Sequence, residues 1–102
     1  MRTESSVAAD GRATLCLQGR FDFNAHRSFR AAIDAVIDDA RVKDIHLDLG
    51  AVEYLDSSAL GMLLILRDKA GAAKKPLALI NCRGCVRQVL DIANFGKLFS
   101  IL

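Results

Sequence analysis

Hydrophobic and polar positions along the chain change period several times, and each change marks an element. Ser5 to Ala8 reads as a short edge strand, and Asp10-Gly11-Arg12 as the turn after it, since Asp-Gly favours tight hairpins. Ala13, Leu15 and Leu17 then alternate with Thr14, Cys16 and Gln18, the period of a half-buried strand. Beyond it, Phe29, Ala32, Ile33, Val36 and Ile37 recur every three or four residues. That spacing predicts an amphipathic helix ending near Asp39, with Asn24 as its N-cap and Arg27, Arg30, Asp34 and Asp38 on the solvated face. Ile45, Leu47 and Leu49 alternate with His46 and Asp48, a second clear strand.

The next segment, GAVEYLD, lacks either period and is expected to be a loop. It leads into SALGMLLILRDKAG, a helix expected to stop near Gly71. This helix is apolar nearly all round, so most of its surface should be covered. KKPLALINC is a third central strand, with Pro76 at its start, where a missing ladder donor does least harm. Val86, Val89, Leu90 and Phe95 place another amphipathic helix in GCVRQVLDIANFG, and KLFSIL closes the chain as a last short strand. Strand and helix alternate throughout. The expected architecture is one α/β domain over residues 1–102: a mixed sheet of four or five strands covered by three or four helices.

Composition narrows the function classes. The 102 residues are 52% hydrophobic and 25% charged, as in an ordinary folded domain. A net charge of +2, with Lys and Arg scattered, supplies no patch for nucleic acid. No segment has the length of apolar residues that a membrane span needs, and the N-terminus lacks the apolar stretch of a signal peptide. A cytoplasmic location follows as the expectation, with Cys16, Cys82 and Cys85 as reduced thiols.

The candidate chemistry sits in LDSSALG, Leu55 to Gly61. Asp56, Ser57 and Ser58 can cap the following helix, because a side-chain oxygen there accepts from an unpaired first-turn N–H. The same position suits an added phosphate, since free N–H groups and the positive end of the helix dipole favour an anion. A competing motif is Cys82-Arg83-Gly84-Cys85, a CxxC at a strand end before a helix, the arrangement of redox pairs. It falls late in the chain, and no proline follows it. No Cys or His spacing suits zinc, and His26 and His46 stand alone, so no metal, cofactor or catalytic constellation is expected.

The segment HLDLGAVEYLDSSALGMLLILRDKA resembles the signature of the STAS domain, in particular that of small bacterial anti-sigma factor antagonists. LQGRFDFNAHRSFRAAI and VRQVLDIANFGKLFSI resemble the family's flanking segments, more weakly. The resemblance implies a binding protein and no enzyme. It places the family's phosphorylated serine on Ser57, with Ser58 as the lesser candidate. It places the partner surface on Asp22, Asn24, Asp56, Ser57, Ser58, Ala59, Leu60 and Gly61. The implied partners are an anti-sigma factor or serine kinase and a PP2C-type phosphatase. Ala59 departs from the Gly common in the family, and its Cβ is expected to crowd a partner's backbone. Two other readings stay open on the sequence: a docking subunit of a transporter or lipid-trafficking complex, and a CxxC redox protein.

Overall fold

A computed structural model describes residues 1–102. The elements run β1 (Arg2–Val7), β2 (Arg12–Phe21), a 3-10 turn (Phe23–Ala25), α1 (His26–Asp38), β3 (Asp44–Leu55), α2 (Ser57–Ala72), β4 (Leu77–Ile80), α3 (Gly84–Ile92), a second 3-10 turn (Phe95–Lys97) and β5 (Ser100–Ile101). The expected α/β class is therefore observed, with five strands and three helices. β1 begins earlier than the sequence pattern implied, because its exposed positions carry no hydrophobic alternation. The hairpin to β2 turns at Gly11, whose φ of 92° is open to glycine at little cost.

The strands lie in chain order, β1 to β5. β1 is antiparallel to β2, and every later pairing is parallel. A sheet that grows in one direction through right-handed crossovers carries all its helices on one face. The burial pattern agrees: Leu15, Leu17, Leu47, Leu49 and Leu79 point into one core with Phe29 and Ile33 of α1, Leu63 and Leu66 of α2, and Val86 and Leu90 of α3. The opposite face of β2 and β3 carries Thr14, Cys16, Gln18, His46 and Asp48, all partly exposed. Those strands alternate because only one side is covered by the chain.

Two expectations are overturned here. GAVEYLD is strand, not loop: β3 runs on to Leu55. Its inward residues after Leu49 are Val52 and Leu55, three apart rather than two. The cause is a pair of bulges. Between Cys16↔Asp48 and Gln18↔Ala51, and again between Gly19↔Val52 and Arg20↔Tyr54, β3 advances one residue more than β2. Each extra residue resets which side chain faces the core, so the period-two signal disappears while the pairing continues.

The second concerns α2, which is covered on one side only. Ala59, Met62, Leu63, Leu66 and Ala70 are buried, but Leu64 and Ile65 are 36% and 48% exposed. The C-terminus of α1 is held by a distant group: Lys75 Nζ donates to the carbonyls of Ile37 and Asp39, where a cation is also favoured by the dipole.

Adjacent leucines on α2 therefore provide a direct check of the helix phase. Leu63→Ala should cost about 2–5 kcal/mol in urea unfolding, because a buried side chain leaves a cavity. Leu64→Ala should cost well under about 1 kcal/mol. Equal losses at the two positions would contradict the placement of α2.

Candidate functional site

β2 and β3 end level with one another, Phe21 pairing with Leu55. Both are buried, and each is followed at once by an aspartate that caps a helical turn. Asp22 Oδ1 accepts from the Asn24 N–H at 3.0 Å, and Asp56 Oδ1 accepts from the Ala59 N–H at 2.9 Å. The Asp56 N–H itself donates to the Phe21 carbonyl at 3.3 Å, which ties the two loops together. The parallel register thus brings residues 34 positions apart in sequence (Asp22 and Asp56) to one edge of the sheet.

The sequence placed the first cap on Asn24, and the structure corrects this. Asp22 is the cap, of the 3-10 turn that leads into α1; Asn24 supplies the N–H it accepts. An Asx-type turn begun by Asp22, four residues ahead of α1, satisfies the same kind of orphan donor, and the sequence pattern alone does not separate the roles of Asp22 and Asn24.

Ser57 is the first residue of α2 and is exposed, while Ser58 is only partly so. Ala59 is 0% exposed and packs in the main core. The expected crowding of a partner by the Ala59 Cβ is therefore overturned, because that methyl points inward. Its backbone N–H, already engaged by Asp56, is what belongs to the site. Leu60 is partly buried, and Gly61 is exposed, with nothing within 4 Å of where a Cβ would sit. Ser57, Gly61, Leu64 and Ile65 follow helical spacing along the open face of α2.

Three residues that the motif did not single out complete the surroundings. Arg20 lies 3.6 Å from the Asp22 carboxylate and 4.5 Å over the Tyr54 ring, a cation–π contact between residues paired across β2 and β3. Phe23 is 64% exposed and packs on the ring of His26, with centroids 5.2 Å apart. Phe23 was legible as an anomaly, an aromatic between Asp22 and Asn24 in a polar turn. Arg20 and Tyr54 became neighbours only through the bulged register.

The CxxC motif is differently placed. Cys82 precedes α3 and is partly buried, and burial, the largest influence, pushes its thiol pKa up. A redox nucleophile needs the opposite shift. Cys85 Sγ lies 3.3 Å from the Glu53 carbonyl.

A family model described as "Mlab, STAS domain" matches residues 5–102. The chain belongs to the STAS domain family. A STAS-domain containing protein of Pseudomonas aeruginosa (strain UCBPP-PA14) is 50% identical over 95 residues, covering 92% of each chain. The "Putative anti-sigma factor antagonist BtrV" of Bordetella bronchiseptica is 27% identical over 92 residues, covering 90% of this chain and 78% of that one. The fold is shared with the "Anti-Sigma Factor Antagonist SpoIIAA", with a TM-score of 0.74 at 22% identity over 99% of this chain and 87% of that one. SpoIIAA of Bacillus has also been solved in a phosphorylated form, with a TM-score of 0.73 to this STAS chain.

The capping role separates cleanly from the rest of the site. Asp56→Ala should lower unfolding stability by about 1 kcal/mol, whereas Asp56→Asn, which keeps an acceptor, should lower it far less. Ser57→Ala, at an exposed position with no hydrogen bond to lose, should stay within about 0.5 kcal/mol of the parent. If Ser57→Ala proves as damaging as Asp56→Ala, the assignment of the cap is wrong.

Proposed function

We propose that this STAS domain is an anti-sigma factor antagonist switched by phosphorylation of Ser57. Unphosphorylated, it binds an anti-sigma factor, or a kinase of that kind, in the bacterial cytoplasm, and a sigma factor is thereby released. Phosphorylated, it lets the partner go. A PP2C-type phosphatase resets the cycle. The domain is a substrate and a ligand in this scheme, and catalysis belongs to its partners.

One observation carries the reading: Ser57 is an exposed hydroxyl at the first position of α2, where Asp56 already performs the capping. Modification of Ser57 therefore costs the fold nothing it depends on. A phosphate brings about −1.5 to −2 charges at neutral pH, which the dipole of a 16-residue helix tolerates at this end. Placed beside the Asp56 carboxylate, it makes the rim of the site strongly negative. A partner fitted to a bare hydroxyl then meets both bulk and like charge, with no change in the domain's own structure.

The partner surface in this scheme comprises Asp22, Asn24, Asp56, Ser57, Ser58, Leu60 and Gly61, with Ala59 contributing through its backbone. The relatives' names support the class of partner: an anti-sigma factor antagonist acts on an anti-sigma factor. Ser57 is preferred to Ser58 because Ser58 is partly covered.

Isothermal titration against the cognate anti-sigma factor tests the switch. Ser57→Ala should bind about as tightly as the parent chain and remain bound in the presence of kinase and ATP. Ser57→Glu should weaken binding by about thirtyfold, the equivalent of losing one central contact of about 2 kcal/mol. Equal affinity of parent and Ser57→Glu would remove the basis for the reading.

A further inference from the structure

Arg20 stands on β2 two residues ahead of Asp22, with its side chain 64% exposed. We infer that Arg20, held against Tyr54, is the positioning residue for the Asp22 carboxylate, and that this pair sets how firmly the unmodified domain holds its partner. The inference deepens the proposed function and rests on it for Asp22 being a partner contact.

The second bulge creates the arrangement. Gly19 pairs with Val52, and an unbroken ladder would then set Arg20 opposite Glu53. β3 instead advances one residue more, so Arg20 faces Tyr54. Gly19 takes up the irregularity on β2 with a φ of 94°, which a side chain would resist. A carboxylate that would have neutralised the guanidinium is thus replaced by an aromatic ring that holds it.

The charge is left for Asp22. The guanidinium carbon lies 4.5 Å from the centre of the Tyr54 ring, and Arg20 Nε lies 3.6 Å from Asp22 Oδ2. The second contact is too long for a hydrogen bond, so the ring supplies the orientation and the charge supplies the pull. Asp22 is held from both sides. Its Oδ1 accepts from the Asn24 N–H at 3.0 Å, which fixes the turn into α1, while Oδ2 faces Arg20. One oxygen serves the fold, and Arg20 decides where the other points.

The neighbouring charges give this weight. Asp22 and Asp56 stand at one edge of the sheet, where like charges repel. Among the six ion pairs of the structure, Arg20 is the one cation paired with either of them. An exposed ion pair of this length adds little to stability. It matters more for binding, because a partner that meets a carboxylate already fixed in place loses less freedom on docking.

Hydrogen exchange in the free chain and titration with the cognate anti-sigma factor read the two parts separately. Arg20 and Tyr54 are exposed, so substitution there leaves the core intact. Arg20→Ala and Tyr54→Leu should each speed exchange of the Asn24 amide by about threefold and weaken the complex by about fivefold, the scale of one exposed cation contact. Tyr54→Phe keeps the ring face and should stay within about twofold of the parent in both measurements. In an Asp22→Asn background, Arg20→Ala should weaken the complex no further, since no carboxylate is left to place. An equal loss in both backgrounds, an Asn24 amide indifferent to Arg20→Ala, or a Tyr54→Phe chain as impaired as Tyr54→Leu would each overturn the assignment. The switch is separable. If Ser57→Glu weakens the complex while Arg20→Ala does not, the positioning role falls and the switch stands. If the Arg20 and Tyr54 variants behave as expected and Ser57→Glu has no effect, the switch falls and the positioning role stands.

Discussion

The site depends on one pairing: β2 and β3 run parallel and finish level, with Phe21 opposite Leu55. Two bulges in β3 make this possible, since without them the longer strand would overshoot its neighbour and turn Val52 out of the core. Once the strand ends are level, the aspartate after each becomes a cap at the same edge, and the Asp56 N–H can close onto the Phe21 carbonyl. The helix that begins at Ser57 is then fixed in position by its buried side, Ala59, Met62, Leu63 and Leu66. The exposed hydroxyl is placed by the packing of these buried residues.

In the proposed switch, capping and signalling divide between neighbours. Had Ser57 itself capped α2, a phosphate on it would have removed an acceptor the helix needs. Because Asp56 holds the Ala59 N–H, the serine beside it is free of structural duty. In that proposal the helix dipole would stabilise the added charge within the domain, while the partner would meet it as repulsion. A switch built this way changes affinity without requiring a second conformation.

Much of this was legible from sequence. The strict alternations in Ala13–Leu17 and Ile45–Leu49, and the helical spacing of Phe29, Ile33 and Val36, gave the sheet and first helix their correct faces, because one-sided burial enforces those periods. The LDSSALG motif located the start and cap of α2, because few residue types satisfy an orphan N–H. Residues 50–55 were not legible, since a bulged strand with inward residues three apart imitates a loop. The role of Ala59 was misjudged because a run apolar on every side does not reveal its phase. Nor could local pattern separate Asp22 from Asn24, as both side chains accept from nearby backbone. Arg20 over Tyr54, and Arg30 beside Ile65, are tertiary facts that no single segment encodes.

The central claim is that this STAS domain is written on at one hydroxyl. The most direct measurement is to incubate the purified chain with its cognate kinase and ATP and locate the phosphate by peptide mass spectrometry. The account predicts one phosphate, on Ser57, and none on the Ser57→Ala chain. A phosphate on Ser58, or labelling of Ser57→Ala equal to that of the parent, would contradict it.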